Sequence, residues 1–161
     1  MILVFNASPL IVLAKAGLLN QIVSLAEQVI IPQTVVDEVV RVDDPADPAR
    51  MWLERPSCPV SSPESPPVPP FLAAWDLGAG ESAVISVGST WSGSMVVLDD
   101  LAARRCAQAH QIKVVGSLGL VLLGKRQGLI PRVADALEAI QRAGLFVSPH
   151  VVSTILREAG E

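Results

Sequence analysis

Short apolar runs recur along this chain, and between them apolar residues return every third or fourth position. The runs Ile2–Phe5, Val29–Ile31, Met95–Leu98, Lys113–Val115 and Leu145–Val147 read as strands buried on both faces, the form that strands take in parallel sheets. Helical periods fill the intervals. Ser8-Pro9 reads as a cap followed by proline at the first helical position, opening a helix through Ala16 with Gly17 as its stop. Further helices are expected over Leu18–Ala26, from Pro32 to about Val42, over Gly80–Ser89 and Asp100–His110, from a cap at Ser117 to near Gly128, and from Pro131 to Ala143. Ser148-Pro149 repeats the cap-plus-proline opening for a terminal helix. Strands alternating with helices predict an α/β fold with a parallel central sheet.

One stretch breaks the alternation. Residues 43–70 hold nine of the thirteen prolines. They read as a solvated connector or partly ordered insertion with a helical turn around Ala49–Glu54. The connector does not divide the chain, because each flank lacks strands that the other supplies. A single domain over residues 1–161 is expected.

Composition narrows the class. Half of the 161 residues are hydrophobic and 17% are charged, which fits a packed globular chain and excludes a disordered one. No apolar run reaches the roughly 18 residues of a membrane span. Lys15 is the only charge in the first 26 residues, so no basic signal segment is read there, and a cytoplasmic protein is expected. Cys58 and Cys106 are isolated and read as reduced thiols. The net charge of −4 hides an asymmetry. Residues 27–100 carry twelve acids against Arg41, Arg50 and Arg55, whereas residues 101–142 carry seven bases against Asp135 and Glu138. An acidic centre beside a basic rim suits metal-dependent work on a polyanion.

Among the acids, several lack an ordinary surface role. Val96-Val97-Leu98 ends abruptly in Asp99-Asp100, placing a carboxylate at a strand tip, where ligands gather in open α/β sheets. Asp100 can cap the following helix or pair with Arg104, which leaves Asp99 as the site candidate. Glu81 is the only charge between Asp76 and Asp99, set among small and apolar neighbours. Glu38 lies on the flank of an apolar stripe, while Asp37 is expected to pair with Arg41 at i,i+4. Asn6 stands at the tip of the first strand. Oxygen donors without Cys or His partners point to a hard divalent cation, and with it to phosphate chemistry. His110 and His150 lack a catalytic partner, and Trp52, Trp75 and Trp91 do not alternate with bases as a stacking platform would. No glycine fingerprint or nucleophile elbow favours a small-molecule enzyme.

Taken in order, Asn6-Ala-Ser-Pro-Leu10, Ile31-Pro32 with Val36-Asp-Glu38-Val39, Gly78-Ala-Gly80-Glu81-Ser-Ala83, Leu98-Asp99-Asp100-Leu-Ala-Ala-Arg104 and Val115-Gly116-Ser117-Leu118-Gly119 resemble the motifs of PIN-domain-like proteins. The likeness is to a branch long catalogued as a domain of unknown function, and it covers nearly the whole chain outside residues 43–70. It implies a three-layer α/β/α sandwich around a parallel sheet, and a pocket for Mg²⁺ or Mn²⁺ used to hydrolyse RNA. It implies Glu38, Glu81 and Asp99 as metal ligands, Asn6 at the usual leading Asp position, and Asp100 as a secondary catalytic contributor. Ser117, Arg104, Arg105 and Lys125 are the expected substrate contacts. Many such proteins are toxins held by a small antitoxin, and many are homodimers. Asn6 departs from the pattern: an amide brings oxygen without charge, and the alternative reading is a catalytically weak PIN-like module that binds RNA or a partner protein.

Overall fold

A computed structural model describes every residue except 42, 43, 57 and 59. Strand β1 (Ile2–Phe5) leads into α1 (Ala7–Lys15) and α2 (Leu19–Val23), then β2 (Gln28–Ile30) and α3 (Gln33–Val40). Helix α4 (Pro48–Leu53), strand β3 (Val60–Ser61) and a 3₁₀ turn at Pro70–Ala74 follow. The second half runs α5 (Ala79–Thr90), β4 (Ser94–Val97), α6 (Leu101–Ala109), β5 (Val114–Val115), α7 (Ser117–Arg126), α8 (Val133–Arg142) and α9 (Pro149–Ala159).

The five strands form one sheet in the order β3-β2-β1-β4-β5, every described pair parallel. Apolar runs became strands here because helices cover both faces: Leu3, Val4, Phe5, Ile30, Val96 and Val97 are all fully buried. Helix α1 packs with α2, α7 and α8, while α5 lies on β1 and β4 and packs beside α6. The result is the expected α/β/α sandwich. From β1 the chain steps outward through β2 to β3, then crosses back to continue through β4 to β5 on the other side. The direction of winding therefore reverses between β1 and β4, and the crevice beyond their C-terminal ends is where such sheets bind ligands.

Several local expectations are corrected. Leu145–Val147 is not a strand: the segment pairs with nothing in the sheet. The fifth strand comes instead from the proline-rich stretch, where Val60 and Ser61 pair with Val29 and Ile30 at the sheet edge. An edge strand tolerates flanking prolines, since one side of its ladder needs no donors. The turn expected near Ala49–Glu54 is α4, capped by the Asp47 carboxylate on Ala49 N and Arg50 N. The cap of α1 lies two residues before the expected Ser8, at Asn6, whose side chain is turned elsewhere. Asp37 accepts from Gln33 Nε2 at 2.8 Å rather than pairing with Arg41. The expected end of α3 at Val42 lies outside the described residues. Cys58 and Cys106 are free thiols. Among the described residues no helix is long and apolar enough to cross a membrane.

Candidate active site

Two polar tips border the crevice. β1 ends at Phe5 opposite Val97 of β4, so Asn6 and the Leu98-Asp99 pair leave the sheet side by side. Asn6 N still donates to Val97 O at 3.2 Å, which fixes the asparagine to the sheet. Its side chain is only 3% exposed. The Nδ2 group donates to Glu81 Oε1 at 3.1 Å. The other end, Oδ1, is the one buried side-chain polar atom among the described residues without a hydrogen-bond partner.

Glu81 arrives from the first turn of α5, where a carboxylate is favoured by the partial positive charge of the helix N-terminus. Glu38 arrives from the second turn of α3, which packs against α5. Gly80 sets how closely these groups approach. A side-chain carbon there would lie 2.8 Å from Glu38 Oε2 and 2.9 Å from Asn6 Oδ1. The absent side chain is thus the space into which both oxygens point. Partial burial, and then the neighbouring Glu81 anion, push the Glu38 carboxyl above its usual range, while Arg41 pulls it back. Gly78 is also constrained, because a side chain there would collide with the Glu81 carboxylate.

The second tip is built differently. Asp99 accepts from Ser117 N at 2.8 Å through Oδ1 and from Ser117 Oγ at 2.6 Å through Oδ2. Ser117 is fully buried at the start of α7, so its hydroxyl serves Asp99 and not the helix end it was expected to cap. Arg104 donates to Leu98 O at 3.3 Å. A side chain at Gly116 would collide with the Arg104 guanidinium and lie 3.0 Å from Asp99 Oδ1. Asp100 caps α6 by accepting from Ala103 N at 2.8 Å, and Arg105 is exposed on the same helix. Lys125 stands at the far end of α7, donating to Pro131 O and pairing with Glu161 at 2.8 Å.

The structure therefore brings Asn6 and Glu38 together over Gly80, with Glu81 joined to them through Asn6, and Asp99, Ser117 and Arg104 together around Gly116. Among the described residues no three His, Cys, Asp or Glu side chains gather closely enough to make a metal cage alone. Two carboxylates and an unpartnered amide oxygen nevertheless fit a hard cation: magnesium takes one or two protein carboxylates and keeps several waters. Neither Gly80 nor Gly116 stood out as a site residue in the sequence. Their signal was position: each adjoins a candidate site residue near a helix start, where close approach needs the missing side chain.

A family model described as a PIN domain matches residues 2–161. No curated protein and no solved structure matches the chain.

Proposed function

Because the chain belongs to the PIN-domain family, we propose that it is a metal-dependent ribonuclease hydrolysing RNA phosphodiester bonds. The observation that carries the reading is the orphaned Asn6 Oδ1, buried beside the Glu38 and Glu81 carboxylates at the switch point of the sheet. A buried acceptor without a donor is rare and costly, and an approaching cation would satisfy it. Glu38, Glu81 and Asn6 would hold Mg²⁺ or Mn²⁺, with Asp99 as the further carboxylate from the adjoining tip. Such an ion neutralises phosphate charge and makes bound water a stronger nucleophile at neutral pH.

The remaining work falls to the chain itself. Asn6 holds Glu81 in one rotamer through its Nδ2 bond. Ser117 fixes both oxygens of Asp99, so that carboxylate keeps one direction without reorganising. Arg104 and Arg105 lie on α6 beside this tip, where they would follow a phosphate backbone without reading bases. Asp100 contributes by starting α6 in the right place. RNA is the proposed partner in the cytoplasm. A small inhibitory protein and a second copy of the chain are further partners, to be sought by co-purification and sedimentation.

The test is cleavage of single-stranded and structured RNA with Mg²⁺ or Mn²⁺. Chelator should abolish cleavage. Glu81→Gln and Asp99→Asn should each lower the rate by more than the roughly 10–100-fold that losing an outer partner of a metal site costs. A second reading, a binding module without turnover, draws on Asn6 in place of a third anion. Calorimetric titration with Mn²⁺ separates the two, since only the enzyme needs the ion. Intact RNA together with no Mn²⁺ heat would remove the nuclease reading.

A further inference from the structure

The crevice extends past Asp99 into a groove of ≈ 880 Å³ along the β5 edge, between α7 and the chain entering α9. Asp99, Arg104, Val115, Leu118, Phe146 and Val151 are among the residues that line it. Phe146 is 89% exposed, an unusual position for a phenyl ring. Its neighbours face the other way: Leu145 packs on the core and Val147 is only 6% exposed. The segment is held at its far end, where Gln141 Nε2 donates to Val147 O at 3.4 Å and the Ser148 hydroxyl caps α9.

We infer that this groove is a nucleobase subsite: Phe146 stacks one base of a single-stranded RNA whose neighbouring phosphate lies by Arg104. The inference rests on the nuclease reading and adds the part of the substrate that the phosphate chemistry leaves undefined. The lining decides the occupant. A ligand that touches both Arg104 and Phe146 must carry an anion and a flat apolar face within one groove. A nucleotide unit has that constitution, and every base offers a π-face to an aromatic side chain. Because Arg104 meets only phosphate and Phe146 only a ring face, the subsite would accept different bases.

The experiment measures binding in chelator, so that nothing is cut, by fluorescence anisotropy. The probes are a short oligoadenylate and a ribose-phosphate oligomer of equal length lacking bases. Wild type should favour the oligoadenylate. Phe146→Ala should weaken oligoadenylate binding by about 5- to 150-fold, the range for one stacked base, and leave the abasic oligomer unchanged. Phe146→Trp should restore the preference. Phe146 packs on little, so circular dichroism should show the alanine variant folded. Equal affinity of wild type and Phe146→Ala for oligoadenylate would overturn the subsite while leaving the nuclease reading standing. So would a variant whose only change is conversion of a sedimenting dimer to monomer, which would make Phe146 a protein contact. No binding of either oligomer, with no RNA cleavage, would remove both.

Discussion

Neighbouring parallel strands end in two tips that treat their oxygen atoms in opposite ways. At the β4 tip, both oxygens of Asp99 have a donor on one buried residue, Ser117. At the β1 tip, the buried Asn6 amide oxygen has no donor; it shares the space over Gly80 with the Glu38 carboxylate, and the Asn6 amide nitrogen reaches Glu81. An unsatisfied buried acceptor costs about 1–3 kcal/mol, and like charges add to that. One tip is complete without a ligand and the other is not. The difference teaches that Asp99 is held in one direction by its donors, whereas Asn6 Oδ1 keeps acceptor capacity that no described donor fills, the capacity the proposed cation would use. The same polar residue types serve both ends; the number of donors aimed at them separates the roles.

The largest test of that contrast is Asn6→Asp. The substitution removes the donor to Glu81 and sets a third anion in a buried place. Two unit charges about 4 Å apart repel by roughly 4 kcal/mol at an effective dielectric near 20. Urea denaturation in chelator should therefore show a loss of up to about 4 kcal/mol, largely recovered when Mn²⁺ is added. Equal stability of variant and wild type in chelator would mean that the β1 tip is not crowded with negative charge, and the comparison would break.

A smaller effect is expected at the satisfied tip. Ser117→Ala takes away the 2.6 Å donor to Asp99 Oδ2 while the backbone N–H to Oδ1 remains. Hydrogen bonds to charged groups contribute about 1.5–3 kcal/mol, so thermal or urea unfolding should report a loss in that range. As the outer partner of the proposed Asp99 ligand, Ser117 should also be worth roughly 10–100-fold in Mn²⁺ affinity. A variant as stable as wild type would show that Asp99 draws its fixed direction from elsewhere.

How much of this was legible in the sequence follows from how local each signal is. β1, β4 and the helices after them could be read because continuous apolar runs ending in Asn6 or Asp99 carry their own punctuation. Glu81 stood out because no other charge lay near it in sequence. The fifth strand was misplaced because three apolar residues do not say whether a sheet edge is available to them. Leu145–Val147 had the composition of a strand yet pairs with no neighbour, whereas Val60–Ser61 pairs with β2 at the opposite edge of the sheet despite its prolines. Ser117 looked like a helix cap because only folding brings Asp99, eighteen residues earlier, within reach of its hydroxyl. The orphaned Asn6 oxygen was equally invisible: a missing hydrogen bond is a property of three dimensions.

The smallest test contrasts crowded and satisfied carboxylates through the sign of their pH dependence. Glu161 repeats the satisfied pattern far from the crevice. Its carboxylate is held at about 2 by the Lys125 ammonium and by the amides of Ala134 and Val133 at the start of α8. The folded value lies below the ordinary 4.5, so its stabilisation is full above that value and lost as pH falls toward about 2. Glu38 has the opposite sign. Its folded value is raised, so its contribution is most favourable below 4.5, where it is protonated, and is lost as pH rises through the folded value. Melting temperatures in chelator should therefore show Glu161→Gln falling below wild type at neutral pH and converging with it toward pH 2. Glu38→Gln should match wild type in acid and exceed it at neutral pH. If both variants shifted in the same direction with pH, the two kinds of carboxylate would not differ in the way the donors around them require.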